Sequence, residues 1–180
     1  MEKRFQLADF DKRLWTRERA REIRGRLVEV LDELDAGDVL VIDLKGVEVF
    51  DYSFANEFFG KTILSLPIEY PGRFLMVDNL TKYTRENLEK ALESLGLTMI
   101  ERKADSRRLI GKIHPADEET FAALLRSKEP ATSSELKDRL GIGLTAVKER
   151  LSNLTQMGVI RREVSMSQAG REQFKYSGPS

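Results

Sequence analysis

The apolar run at residues 39–44, with sequence VLVIDL, constrains the fold more than any other feature of this chain. The run is short, rich in β-branched residues and uncharged before Asp43, which is typical of a strand buried on both faces. Strands of this kind occur where helices cover both sides of a largely parallel sheet. The run therefore predicts an α/β architecture.

The segments around this run alternate between strand and helix patterns up to about residue 113. Turn residues such as Gly37, Gly46 and Gly96 separate them. We predict a β-sheet covered by helices over residues 1–115. The predicted strands lie at 5–10, 39–44, 73–79, 97–103 and 107–113, and the predicted helices at 16–34, 53–66 and 85–95.

From Ala116 onward the pattern changes to three short helices and a strand, which predicts a second domain over residues 116–180. The turn 141–143, with sequence GIG, joins the second and third helices as in a helix-turn-helix. The segment 164–176 fits either a hairpin with glycine at its tip or a helix, and both alternatives stay open.

The spacing of the third helix predicts which of its side chains face outward. Val147, Leu151 and Leu154 recur at helical spacing and should face the core. The outward positions would enter a DNA major groove, and nearby cations would contact phosphates. The candidate DNA-binding residues are Thr145, Ala146, Lys148, Glu149, Arg150, Ser152, Arg161 and Arg162.

Residues 129–164, EPATSSELKDRLGIGLTAVKERLSNLTQMGVIRREV, resemble the winged-helix family of transcription regulators, and the resemblance extends over about 117–176. It implies a winged helix-turn-helix domain that binds DNA as a homodimer. Residues 116–180 carry ten Lys and Arg against nine Asp and Glu, so the segment is nearly neutral. A winged helix that binds protein or dimerises is therefore the alternative.

Residues 39–61, VLVIDLKGVEVFDYSFANEFFGK, resemble the STAS-like family, relatives of the anti-sigma factor antagonist domain. The resemblance implies a partner surface at the start of a helix, where a kinase phosphorylates a hydroxyl residue. It points to Asp51, Tyr52, Ser53, Asn56 and Glu57. Tyr52 and Phe54 replace a serine and a glycine of the antagonist motif, so Ser53 acting only as the helix N-cap is the alternative.

The composition limits the chemistry that this chain can carry. It has no cysteine and one histidine, so thiolate and multi-histidine metal sites are excluded. We expect no catalytic residues, metal or cofactor. The enzyme alternative rests on four carboxylates at strand ends or helix starts, which would serve as acid–base groups or magnesium ligands. They are Asp43, Asp51, Glu57 and Asp78.

The charge and the apolar pattern set expectations for location and function. Lys and Arg equal Asp and Glu at 30 each, and neither a membrane span nor a signal peptide is evident, so we expect a cytoplasmic protein. We predict a non-enzymatic transcriptional regulator that binds DNA, with the STAS-like domain as a partner- or ligand-binding module. The alternative is a partner-switching adaptor regulated by a kinase or GHKL-type ATPase through Ser53 or Tyr52.

Overall fold

The computed structural model describes residues 1–104, 106–127 and 129–179. Strands and helices alternate in the first part of the chain, as predicted. The strands there are β1 (Glu2–Gln6), β2 (Arg13–Leu14), β3 (Val39–Asp43), β4 (Val49–Phe50), β5 (Phe74–Asp78), β6 (Thr98–Lys103) and β7 (Ser106–Gly111). The helices there are α1 (Arg17–Asp32), α2 (Tyr52–Ala55), α3 (Lys61–Glu69) and α4 (Lys82–Leu95).

Five of these strands form one mixed sheet in the order β1-β3-β5-β6-β7. The first four are parallel, and β7 pairs antiparallel with β6. All five residues of β3 are buried, which confirms the prediction of a central strand. The first strand was predicted at 5–10 but lies at Glu2–Gln6, because the chain turns into a 3₁₀ helix at Leu7–Asp9.

One face of the sheet packs against the helices of the first part of the chain. Leu40 and Ile42 point to this face, because alternate strand residues share a side. They join a cluster with side chains of α1, of α4 and of the aromatic segment 54–59. This segment includes a π-helical turn, Asn56–Gly60, which links α2 to α3. The helix predicted at 53–66 thus runs from Tyr52 to Glu69 with a widened turn inside it.

The second part of the chain contains helices and an antiparallel sheet. Its helices are α5 (Pro115–Leu125), α6 (Ser133–Leu140) and α7 (Leu144–Gln156), and its strands are β8 (Ala131–Thr132), β9 (Arg161–Met166) and β10 (Glu172–Ser177). The strand order is β8-β10-β9, and β9 and β10 form a hairpin closed by residues 167–171. Of the two alternatives for residues 164–176, the hairpin is confirmed and the helix is wrong.

The second face of the mixed sheet is covered by this C-terminal part. Val39, Val41 and Met76 belong to one hydrophobic cluster with Leu124 of α5 and Leu151 of α7. The boundary at 115–116 stays a prediction, but the segments on either side of it share buried apolar surface. The two segments therefore pack directly against each other.

Candidate functional site

A cleft of about 600 Å³ lies between α6, α7 and the β9–β10 hairpin. Hydroxyl and amide side chains from α6 and α7 line it together with Lys148 of α7, Arg162 of β9 and Phe174 of β10. Among its lining residues, all of which the structure describes, none is acidic. Its charged lining residues are Lys148 and Arg162, so the lining carries a net positive charge.

Local sequence places α7 along one wall of the cleft. Gly141 takes a left-handed conformation at φ 65°, which ends α6 and turns the chain toward α7. Val147, Leu151 and Leu154 are fully buried, so the predicted inward face of α7 is confirmed. Lys148 and Ser152, one turn apart, therefore face the cleft.

Arg162 and Phe174 form the opposite wall. The Arg162 guanidinium carbon lies 4.5 Å from the centre of the Phe174 ring, which is a cation–π arrangement. Phe174 did not stand out as a candidate in the sequence. The alternation of aromatic and polar residues in Glu172–Ser177 could have indicated it. That pattern places Phe174 on one face only if the segment is a strand, and the sequence left residues 164–176 open between a hairpin and a helix.

The structure does not bring the other DNA-binding candidates into the cleft. Arg150 donates to Glu119 of α5 at 3.0 Å and to the Thr120 hydroxyl at 3.4 Å. Arg161 donates to the Ala36 carbonyl at 3.3 Å. Arg150 therefore links α7 to α5, and Arg161 links β9 to the loop before β3. Thr145 and Glu149 are exposed and Ala146 is partly buried, all outside the cleft lining.

A second candidate site is the corner where β4 leads into α2. Asp51 is the N-cap of α2, and its carboxylate accepts a hydrogen bond from the Phe54 backbone N–H at 2.8 Å. The alternative that Ser53 is the cap is therefore wrong. Ser53 lies inside the first helical turn, whereas Asp51 has the extended conformation from which a side chain reaches back to that N–H.

Tyr52 is the most connected side chain at this corner. Its hydroxyl lies 2.9 Å from the Ser94 hydroxyl and accepts a longer hydrogen bond from Asn56, at 3.5 Å. The Lys90 ammonium lies 5.9 Å from the centre of its ring. Tyr52, Ser53 and Asn56 are all partly buried at the protein surface, so they form a small polar patch between α2 and α4.

Glu57, the fifth residue predicted here, is buried and accepts a hydrogen bond from Arg21 at 3.1 Å. Arg24 approaches the same carboxylate oxygen at 3.8 Å. Glu57 therefore anchors α1 to the π-helical turn. Glu57 therefore does not belong to an exposed partner surface, because it is buried against the arginines of α1.

The four carboxylates of the enzyme alternative do not form one cluster. Asp43 and Asp78 both pair with Arg4, whereas Asp51 caps α2 and Glu57 pairs with α1. Burial alone would raise the pKa of Asp43, but hydrogen bonds from Asn79, the Lys45 backbone and Arg4 outweigh it and lower the pKa. Within the described residues, no group of three or more histidine or acidic side chains is arranged to hold a metal ion.

Comparison with known proteins identifies one segment of the chain. Residues 20–70 match the model of a family described as a STAS-like domain of unknown function (DUF4325). The match covers α1 from its fourth residue, β3 and the Asp51 corner, and it agrees with a parallel-rich sheet covered by helices. No curated protein matches the chain. No helix within the described ranges is long and apolar enough to cross a membrane.

Proposed function

We propose that the protein is a non-enzymatic transcriptional regulator that binds DNA through its C-terminal part. The observation that carries the proposal is the cleft between α6, α7 and the hairpin, with Lys148 and Arg162 in it and no acidic side chain in its lining. Phosphate contacts supply most of the affinity of a protein for DNA, so an electropositive cleft is the surface that such contacts need.

The order of elements supports a winged-helix domain over residues 116–180. The elements follow the order α5-β8-α6-α7-β9-β10, in which the three strands form one antiparallel sheet, and the short turn at Gly141 separates α6 from α7. In this arrangement α7 would enter the major groove and the β9–β10 hairpin would be the wing. Lys148 and Ser152 lie on the exposed side of α7, where such a helix contacts DNA.

The near neutrality of this segment does not count against DNA binding, because its charges are unevenly placed. Glu119 pairs with Arg150 at 3.0 Å, and Glu163 pairs with Arg161 at 3.3 Å. Both pairs lie outside the cleft. The local field in the cleft, and not the net charge of the segment, decides whether a phosphate is attracted there.

The STAS-like segment is proposed as the regulatory module. Its sheet shares a buried hydrophobic cluster with α5 and α7, so partner or ligand binding to the sheet and its loops would shift α7 through direct packing. The surface patch of Tyr52, Ser53 and Asn56 is the proposed partner contact, since it is polar and accessible.

A mobility-shift assay with a genome-derived DNA pool tests the proposal. Lys148→Glu and Arg162→Glu should each weaken binding strongly. Lys137→Glu is the matched control, because Lys137 lies on α6 outside the cleft lining and pairs with Asp138 at 3.4 Å. Each lost phosphate contact should reduce the slope of log K against log salt by about 0.9. Absence of salt-dependent binding by the wild-type chain would refute the proposal.

The second candidate function is a partner-switching adaptor, in which a kinase or GHKL-type ATPase modifies Ser53 or Tyr52. The observation that favours it is the position of Tyr52, next to Ser94 and Lys90 on the surface. A phosphate on Tyr52 would add negative charge near the Lys90 ammonium, which lies 5.9 Å from the centre of the Tyr52 ring. Intact-mass analysis after co-expression with neighbouring genes tests this candidate, and an unmodified chain without a copurified ATPase counts against it.

A further inference from the structure

Three large apolar side chains lie exposed on one face of the β9–β10 hairpin. Val164, Met166 and Phe174 are 63%, 62% and 46% exposed. Val164 and Met166 are two residues apart on β9, and Phe174 pairs directly with Val164 across the hairpin. Residues in this arrangement share one face of a sheet, so the three form a continuous apolar strip.

This strip adjoins the electropositive cleft. Phe174 belongs to both, and Arg162, two residues before Val164, lies over one face of the Phe174 ring. Nearly half of Phe174 remains in contact with solvent despite this stacking. The hairpin therefore presents apolar and planar surface immediately beside a cleft that attracts anions.

Charge complementarity identifies the kind of ligand that uses both surfaces. Unpaired nucleotides have planar apolar bases next to negatively charged phosphates, and they bind where aromatic side chains lie beside cations. A fully paired duplex presents phosphates but keeps the faces of its bases stacked inside the helix. An apolar protein surface would cover the strip but would make no use of Lys148 and Arg162.

We propose that the strip of Val164, Met166 and Phe174 binds unpaired nucleobases while Lys148 and Arg162 contact the adjoining phosphates. The protein then prefers DNA with a single-stranded segment to fully paired DNA of the same sequence. This inference rests on the proposed DNA binding and adds to it the structural class of DNA that is recognised.

Fluorescence anisotropy with the full chain tests the inference. The probes are a labelled single-stranded oligonucleotide, its fully paired duplex, and the duplex with a single-stranded overhang. The single strand and the overhang should bind more tightly than the duplex. Phe174→Ala should weaken binding to the single strand by about five- to 150-fold, the range for loss of one stacked base, with the salt slope unchanged.

Two variants serve as controls for this experiment. Phe174→Trp keeps an aromatic face and should retain the preference for the single strand. Ile68→Ala removes an apolar side chain that is 81% exposed on α3, away from the cleft, and should have no effect. Circular dichroism of each variant checks that the fold is intact.

The outcomes separate this inference from the proposed function. Equal binding of duplex and single strand, with loss of both on Lys148→Glu and no effect of Phe174→Ala, overturns the inference alone. Absence of salt-dependent binding to all three probes overturns both. A dimeric chain that becomes monomeric on Phe174→Ala, without binding the single strand, shows that a second copy covers the strip and also overturns the inference.

Discussion

The buried carboxylate of Glu101 offers a direct test of how charges hold the sheet to α4. Glu101 of β6 is 2% exposed, and both of its oxygens accept hydrogen bonds from Arg85 of α4. Arg108 of β7 donates to the same carboxylate from its Nε at 2.6 Å. Glu101→Gln keeps the shape of the side chain but removes the buried negative charge that both arginines share.

Removing one partner of a buried ion pair costs about 3–5 kcal/mol. We expect about 3 kcal/mol for Glu101→Gln, at the lower end, because the Arg108 side chain is 45% exposed and can be hydrated. For a chain of this length, about 3 kcal/mol lowers Tm by roughly 6–12 °C. Urea unfolding followed by circular dichroism at 222 nm would measure the loss of unfolding free energy, and thermal unfolding would measure the shift of Tm.

The pH dependence supplies a second measurement of the same interaction. Burial alone would raise the pKa of Glu101, but hydrogen bonds from Arg85 and Arg108 outweigh it, so the pKa in the folded protein is lowered. The stabilisation is therefore complete above the unfolded-state pKa of about 4.3 and is lost as pH falls through the lower folded-state value. Glu101→Gln should flatten this acid limb of the stability profile.

The matched control is Glu89→Gln. Glu89 lies 4.0 Å from the same Arg85 but is 36% exposed at its side chain, so its loss should cost under about 1 kcal/mol. A loss below about 1 kcal/mol for Glu101→Gln, or an unchanged acid limb, would refute the reasoning. Either result would mean that Arg85 and Arg108 do not depend on Glu101 for their stabilisation.

Three further predictions concern the two candidate sites. Asp51→Ala should destabilise the protein by about 1 kcal/mol through loss of the α2 cap, whereas Ser53→Ala should change the free energy of unfolding by less than about 0.5 kcal/mol, as thermal or urea unfolding would show. Arg150→Gln should lower stability by up to about 1 kcal/mol through its link to Glu119 but leave the salt slope of DNA binding unchanged. Glu172→Gln should strengthen single-strand binding in the anisotropy assay, because Glu172 pairs with Met166 at the far end of the apolar strip.

The predictions that held from sequence alone depend on local periodicity. The short run at residues 39–44, apolar except for Asp43, predicted a strand buried on both faces, and the spacing of Val147, Leu151 and Leu154 predicted the inward face of α7. Both patterns follow from the repeat of a single element, which is independent of what packs against it. Residues 20–70 likewise carry the STAS-like similarity within one continuous segment.

Tertiary structure decided the roles of individual polar side chains. Arg150 and Arg161 look like free cations in the sequence, but their partners Glu119 and Ala36 are 31 and 125 positions away and come close only on folding. The choice between hairpin and helix for 164–176 also needed pairing of β10 with both β8 and β9. Sequence periodicity determines which face of an element is apolar; the charge balance of the cleft depends on which residues distant in sequence the fold brings together.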